Sequence, residues 1–331
     1  MSFQEVLDKA FHDKKVDAKL YALMQGFYDS FQKVYEKHGE ELLSHDAMFT
    51  TFLEEVIKVV DTPFPFQPFH QMVTAPIDYH RFGIEFIRTL VDPKKSFVQY
   101  EENVQKILSQ LANKENVILF ANHQTEIDPQ LISMALEKSA PKLAQELICV
   151  AGDRVTRDPM AVPFSMGRNL LCFYSKRHVG AAPEDRAKKQ QHNQRALRQL
   201  RRLLEKGGSC IWVAPSGGRD RRASTGKNDL SPLAPDRIEL FRIIAKQAKT
   251  PTHFYPLALF TYYIFPPPPT VKKELGEWRN TRREGARFAF GDEIDMDHFP
   301  GDHEKERAAR RASLTTYVYK LIKKYYQPLV Y

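Results

Sequence analysis

The sequence predicts an α/β protein: a small N-terminal helical bundle, residues 1–70, followed by a larger α/β domain, residues 71–331, with a central mixed sheet flanked by helices. Three observations carry this. Apolar residues up to about Val60 recur at helical spacing, a proline-rich break follows, and beyond Asp78 short apolar runs alternate with helical segments. A chain of 331 residues that is 42% hydrophobic can bury a sizeable core, which excludes whole-chain disorder.

The elements follow in order. Phe27, Phe31, Val34 and Tyr35 step at three and four, as do Phe49, Phe52, Leu53, Val56, Ile57 and Val60. Between Asp61 and Phe69, Pro63, Pro65 and Pro68 cannot continue a helix and favour extended chain. Phe64, Phe66 and Phe69 are too apolar for a solvated linker, so this segment is expected to pack against its surroundings. The expected strands are Val117 to Ala121, Leu147 to Ala151, Leu170 to Tyr174, Cys210 to Ala214, His253 to Leu259 and Ala286 to Phe290. The expected helices between and after them are Glu102 to Leu111, Pro129 to Glu137, Asp185 to Glu205, Asp236 to Ala248 and Glu304 to Tyr326. Pro266 to Pro269 reads as a stiff connector.

The formal net charge is +8, which favours an acidic partner or substrate. The surplus is concentrated: Lys176 to Lys206 carries ten basic residues against Glu184, Asp185 and Glu205. Such a run is either a solvated helix face or a docking surface for something acidic. Cys149, Cys172 and Cys210 lie in apolar runs and cannot close a full set of disulfides, which suits a reducing compartment. No Cys-x-x-Cys spacing, signal peptide, transit peptide or run of membrane-spanning length is legible. Contact with a membrane is expected to be peripheral at most.

Three segments carry candidate chemistry. Ala121 to Pro129 (Ala-Asn-His-Gln-Thr-Glu-Ile-Asp-Pro) joins an apolar strand to a helix, the kind of junction where open α/β sheets place ligands. Its His123 and Asp128 are five apart, so the loop can turn the carboxylate onto the imidazole. That contact holds one tautomer and frees the other ring nitrogen as a base. Trp212 to Arg222 lies again at the end of an apolar strand; Gly217 and Gly218 allow close backbone approach, and Arg219 and Arg221 offer forks that match phosphate or carboxylate. Ser175 to His178 places three potential cations, Lys176, Arg177 and His178, behind a third strand. Together they suit a base that activates a hydroxyl beside cations that hold an anion.

These segments resemble a known family. Asn122 and His123 with Asp128, the stretch Arg154 to Tyr174 with Ser175 to His178 behind it, Trp212 to Arg221, and Phe254 to Leu259 are similar, in order and spacing, to four sequence blocks of the soluble, plastid-type glycerol-3-phosphate acyltransferases. The likeness covers residues from about 80 to 300, and the N-terminal bundle also looks like that family's first domain. The run Pro215 to Arg221 (Pro-Ser-Gly-Gly-Arg-Asp-Arg) distinguishes this type from membrane-bound relatives, whose third block usually reads Glu-Gly-Thr-Arg.

The resemblance implies transfer of a fatty acyl chain from acyl carrier protein, or coenzyme A, to the sn-1 hydroxyl of glycerol 3-phosphate. The product is 1-acyl-sn-glycerol 3-phosphate, at the first step of phospholipid biosynthesis. It further implies His123 as the base, Asp128 as its orienting partner, and Arg177, His178, Arg219 and Arg221 as phosphate ligands, with Asn122 and Lys176 in support. At 177 this chain has Arg where the family usually has Lys. A thioester needs no metal to react, so no cofactor is expected. The implied compartment is the plastid stroma for a mature plant enzyme or the cytoplasm for a bacterial one. Acyl carrier proteins are strongly acidic, and Arg186, Lys188, Lys189, Arg195, Arg198, Arg201 and Arg202 are the expected docking residues. Met160, Phe164 and Met166, with the linker phenylalanines, are candidates for an acyl groove.

Two other classes compete. Ala214 to Gly218 is a near miss to a serine-hydrolase elbow with Ser216 as nucleophile, but an elbow runs directly into a helix and this chain continues in glycine, proline and charge. A non-enzymatic binding module for an acidic partner would use the basic run alone. Binding to nucleic acid is disfavoured, because aromatic residues are not interleaved with the basic run and no recognition fold is legible.

Overall fold

An eight-stranded mixed sheet organises the molecule, with spatial order β1 (Phe69–His70), β5 (Asn169–Cys172), β4 (Ile148–Ala151), β6 (Cys210–Val213), β3 (Asn116–Ala121), β7 (Thr252–Phe260), β8 (Arg287–Phe290) and β2 (Phe97–Gln99). The computed structural model describes residues 2–39, 45–175, 183–221, 229–270 and 276–330. The five strands β5, β4, β6, β3 and β7 run parallel. Antiparallel pairs join β1 to β5 and β7 to β8. Every residue of β3 is buried, as a parallel strand covered on both faces requires, and its sequence is accordingly a continuous apolar run rather than an alternating one.

Side-chain alternation divides this sheet between two cores. Val117, Leu119, Cys149, Cys172, Trp212, Leu257 and Phe288 face one, while Ile118, Phe120, Ile148, Leu171, Val213, Phe254 and Ala258 face the other. The second core is closed by α10 (Pro183–Lys206), α11 (Pro235–Ala248) and α12 (Arg307–Val330). Leu200 and Leu204 of the basic helix α10 are buried there. The three cysteines are free thiols buried within the sheet. Burial pushes the Cys149 and Cys172 thiols up to about 12 and raises that of Cys210 as well.

The first core is shared with the N-terminal helices α1 (Phe3–His12), α2 (Ala18–Lys37) and α3 (Asp46–Asp61). Ser2 caps α1 with its hydroxyl while Glu5 returns to the Ser2 amide, a reciprocal capping box, and Asp17 caps α2. Phe86 of α4 (Tyr79–Arg88) sits at the hub of the joint. Its ring lies 5.0 to 5.9 Å from those of Phe27, Phe31, Phe49, Phe52 and Phe164. Residues 1–70 thus meet the rest of the chain through packed aromatic rings.

All six expected strands occur, each within two residues of its expected ends. Two more were not expected. β1 lies at the end of the proline-rich segment, and prolines confine it to an edge, where the Pro68 carbonyl accepts the Cys172 amide at 3.0 Å. β2 is a three-residue parallel edge on β8, too short for a period to show. The five expected helices correspond to α5 (Glu101–Ala112), α6 (Asp128–Leu136), α10, α11 and α12. Unexpected were α4, capped by the Asp78 carboxylate on the Arg81 amide, and the short α7 (Pro141–Glu146), α8 (Arg154–Arg157) and α9 (Val162–Ser165). The last helix begins at Arg307 rather than Glu304 and runs on to Val330 through Pro328. Among the described residues no helix is long and apolar enough to cross a membrane.

Candidate active site

Because β3, β6 and β7 are parallel neighbours, the segments that leave them, residues 122–128, 214–221 and 261 onward, converge on one edge of the sheet. The loop after β3 is wound around a single carboxylate. Asp128 is fully buried, and its Oδ2 accepts from His123 Nδ1 at 2.8 Å, from the Gln124 amide at 2.7 Å and from the Thr125 amide at 3.1 Å. Its Oδ1 accepts from the hydroxyls of Thr125 at 3.2 Å and of Thr261 at 2.6 Å. A carboxylate only accepts, so Nδ1 of His123 carries the proton and Nε2 keeps its lone pair. The His123 and Trp212 rings stand nearly perpendicular with centroids 5.5 Å apart, and the His123 side chain is 23% exposed. The base is therefore oriented from behind and open in front.

Buried amides knit the three segments together. Asn122 donates to the Leu259 carbonyl at 2.9 Å and to Asp220 Oδ2 at 3.2 Å, while its own oxygen accepts the Leu259 amide at 2.8 Å. Gln124 accepts from the amides of Thr261 and Tyr262 and donates to the Tyr326 hydroxyl of α12 at 3.0 Å. Asp220 binds the Ser231 amide at 2.8 Å through Oδ1, and its own amide donates to the His123 carbonyl at 2.5 Å. Burial raises the Asp220 carboxyl above the ordinary aspartate value, opposed by the Ser231 amide and the Asn122 side chain.

Two arginines flank Asp220. Arg219 is held by the buried Glu277, Nη2 to Oε2 at 2.5 Å, and the other oxygen of Glu277 accepts from Arg154 Nη1 at 2.9 Å. Arg221 donates to two carbonyls, Pro268 at 3.3 Å and Arg219 at 3.1 Å. Burial and the neighbouring Arg219 lower its affinity for its proton. A half-buried guanidinium whose hydrogen bonds go to carbonyls keeps its full positive charge for an incoming anion. Arg279, itself buried, donates through Nε and Nη2 to Glu126 at 2.5 and 3.2 Å, and through Nη2 to Asp158 at 3.0 Å.

The expected residues His123, Asp128, Asn122, Arg219 and Arg221 therefore stand on one sheet edge. Lys176, Arg177 and His178 lie outside the described residues. Arg186, Lys188, Arg195, Arg198, Arg201 and Arg202 are exposed along α10, and Lys189 is half-buried over the Tyr174 ring. Arg195, Arg198 and Arg202 border a surface cleft of about 500 Å³ with Pro68 and Phe69. Met160, Phe164 and Met166 are core residues, not walls of an open groove. Ser216 donates to the Gly218 carbonyl at 3.0 Å, and no helix follows it among the described residues before Pro235, so the strand-turn-helix form of a nucleophile elbow is missing there. Among the described residues no group of three or more His, Cys, Asp or Glu side chains is arranged to hold a metal ion.

Sequence reasoning missed Thr261, Gln124, Glu277 and Arg279. Thr261 had a signal, since it lies two residues past the strand expected to end at Leu259. Glu277 and Arg279 had none, lying in a charged segment without a helical period.

Comparison with known proteins bears on this arrangement. The family model described as Acyltransferase matches residues 95–259. The chloroplastic glycerol-3-phosphate acyltransferase of Arabidopsis thaliana is 34% identical over 318 residues, 95% of this chain and 69% of the relative. The chloroplastic glycerol-3-phosphate acyltransferase ATS11 of Cucurbita moschata is 38% identical over 301 residues, 90% and 67% of the two chains. Among solved structures, the 1-acyl-sn-glycerophosphate acyltransferase PlsC of Thermotoga maritima covers 93% of this chain and 96% of its own at 18% identity, with a TM-score of 0.43.

Proposed function

From the premise that this chain belongs to the glycerol-3-phosphate acyltransferase family, we propose that it moves a fatty acyl chain from a thioester donor to the sn-1 hydroxyl of glycerol 3-phosphate. Acyl carrier protein is the donor in this reading, and the plastid stroma is its compartment, in keeping with the chloroplastic relatives. The observation that supports the reading best is the His123–Asp128 pair, 2.8 Å apart, on the same sheet edge as Arg219 and Arg221. A base and an anion clamp are what the reaction needs.

An alcohol is a poor nucleophile at neutral pH. His123 Nε2, made an acceptor by the proton on Nδ1, takes the hydroxyl proton as the oxygen attacks the thioester carbonyl. Such a positioned base contributes roughly 10²- to 10⁴-fold. Asp128 holds the ring and stabilises the imidazolium that forms. The proton then passes to the departing thiolate, so the base is regenerated and no metal is needed. Arg219 and Arg221, with Arg177 and His178, bind the phosphate and fix where the hydroxyl lies; orientation of this kind can supply about 7 kcal/mol or more of the barrier. The exposed arginines of α10 attract the acidic carrier.

Single-turnover transfer from radiolabelled acyl carrier protein tests all of this. The wild type is expected to form 1-acyl-sn-glycerol 3-phosphate, His123→Ala to form none, and Arg219→Ala to need far more acceptor. Product from no acyl donor, with folded protein, overturns the reading.

A further inference from the structure

Residues 276–283 take no part in the sheet, yet they connect the site to the N-terminal helices. The chain here lies outside any helix or strand, and Glu277, Arg279 and Thr281 are buried while Trp278, Asn280 and Arg282 are exposed in strict alternation. The inward residues are charged or polar, the reverse of an ordinary edge strand. Each has a partner in the site or in the N-terminal bundle. Glu277 is 4% exposed and bridges Arg219 and Arg154 through its two oxygens. Arg279 grips Glu126, which sits in the 122–128 loop between His123 and Asp128, and Asp158 beyond α8.

The same segment is seated on α2. Lys19, Leu23, Gly26 and Ser30 step at four, three and four, which puts them on one helix face. Gly276, at φ +88°, lies against Leu23 and Lys19. The Trp278 ring, 51% exposed, packs so closely on Gly26 that a Cβ there would stand 2.3 Å from a ring carbon. Ser30 Oγ accepts the Thr281 amide at 2.6 Å, and the two hydroxyls are 2.9 Å apart. Arg283 then lies over the Tyr35 ring at 5.4 Å.

We infer that residues 276–281 are a strap, seated on α2, whose Glu277 is a positioning residue for acceptor binding: it fixes the guanidinium of Arg219, while Arg279 fixes the loop that carries His123. This rests on the reading of Arg219 as a phosphate ligand. An arginine held at one edge of its fork presents the other without first losing its rotamer freedom, and such preorganisation shows as affinity. The N-terminal helices then have a direct part in the site, because Gly26 and Ser30 set where the strap lies.

The test uses the full chain and two readouts: the dissociation constant of glycerol 3-phosphate by calorimetry, and steady-state acyl transfer. Glu277→Gln is expected to raise both the acceptor dissociation constant and its KM about tenfold, while kcat and the KM for the acyl donor stay within roughly threefold. Gly26→Leu, which pushes on the Trp278 ring, is expected to raise the acceptor KM as well, and adding Trp278→Ala to restore it. An acceptor KM for Glu277→Gln that is unchanged or lower, in a protein melting like the wild type, overturns the strap's role, as does failure of Trp278→Ala to rescue Gly26→Leu. A wild type that neither binds glycerol 3-phosphate nor transfers acyl groups instead overturns the functional reading beneath it.

Discussion

The hydroxyl of Thr261, at the end of β7, donates to Oδ1 of Asp128 at 2.6 Å, so the carboxylate that orients His123 is itself anchored from a neighbouring strand 133 residues further along the chain. Thr261→Val keeps the shape and removes that donor. A hydrogen bond to a charged acceptor of this kind is worth roughly 1.5 kcal/mol, so kcat for acyl transfer is expected to fall about tenfold. The KM for glycerol 3-phosphate should hardly move, since Arg219 and Arg221 are untouched. A loss in KM alone would separate Thr261 from the base.

Phe86 is fully buried among rings from α2, α3 and α9. Phe86→Ala is expected to cost about 3 to 5 kcal/mol in urea unfolding, because the cavity lies where two parts of the chain meet and neither can collapse into it alone. A cost below about 1 kcal/mol would mean that residues 1–70 adjust independently of the sheet.

The Arg88 guanidinium donates to both oxygens of Glu137, at 2.8 and 2.7 Å, and holds that carboxyl below the ordinary glutamate value of 4.5. The folded-state value is depressed, so the stabilisation is complete above 4.5 and is lost as the pH falls through the lowered value. Arg88 is 40% exposed, which limits the pair to roughly 0.5 to 1 kcal/mol. Glu137→Gln should therefore be less stable than the wild type at pH 7, with the gap closing as the pH falls through the lowered value. A gap independent of pH would assign the loss to packing.

Charge reversal of Arg195, Arg198 and Arg202, which share one face of α10 and border the cleft beside Phe69, is expected to raise the KM for acyl carrier protein at least tenfold at low salt and to flatten its dependence on ionic strength. The KM for glycerol 3-phosphate should be unaffected. Equal salt dependence in variant and wild type would place carrier docking elsewhere.

What was legible in the sequence follows from the range over which each signal acts. The central strands show as apolar runs because both of their faces are covered, and the His123–Asp128 pair shows because a loop with four residues between the two can close on itself. The edge strands β1 and β2 are two and three residues long, shorter than any period can register. Glu277 and Arg279 were hidden for a different reason. Their partners Arg219 and Glu126 lie 58 and 153 residues away, and charged side chains at buried positions of an irregular segment contradict the pattern by which burial is read. Polar residues of the site are fixed by topology, and topology is what a single sequence states least directly.

The burial of Cys149, Cys172 and Cys210 inside the sheet has a practical side. Thiols that must shed a proton at about 12 or above from within a closed core react slowly with alkylating reagents. A cysteine placed at an exposed site, Trp278→Cys for instance, would be labelled selectively in the otherwise unaltered chain. A reporter dye on the strap thus needs no cysteine-free background, and acceptor binding can be followed where it is expected to be felt.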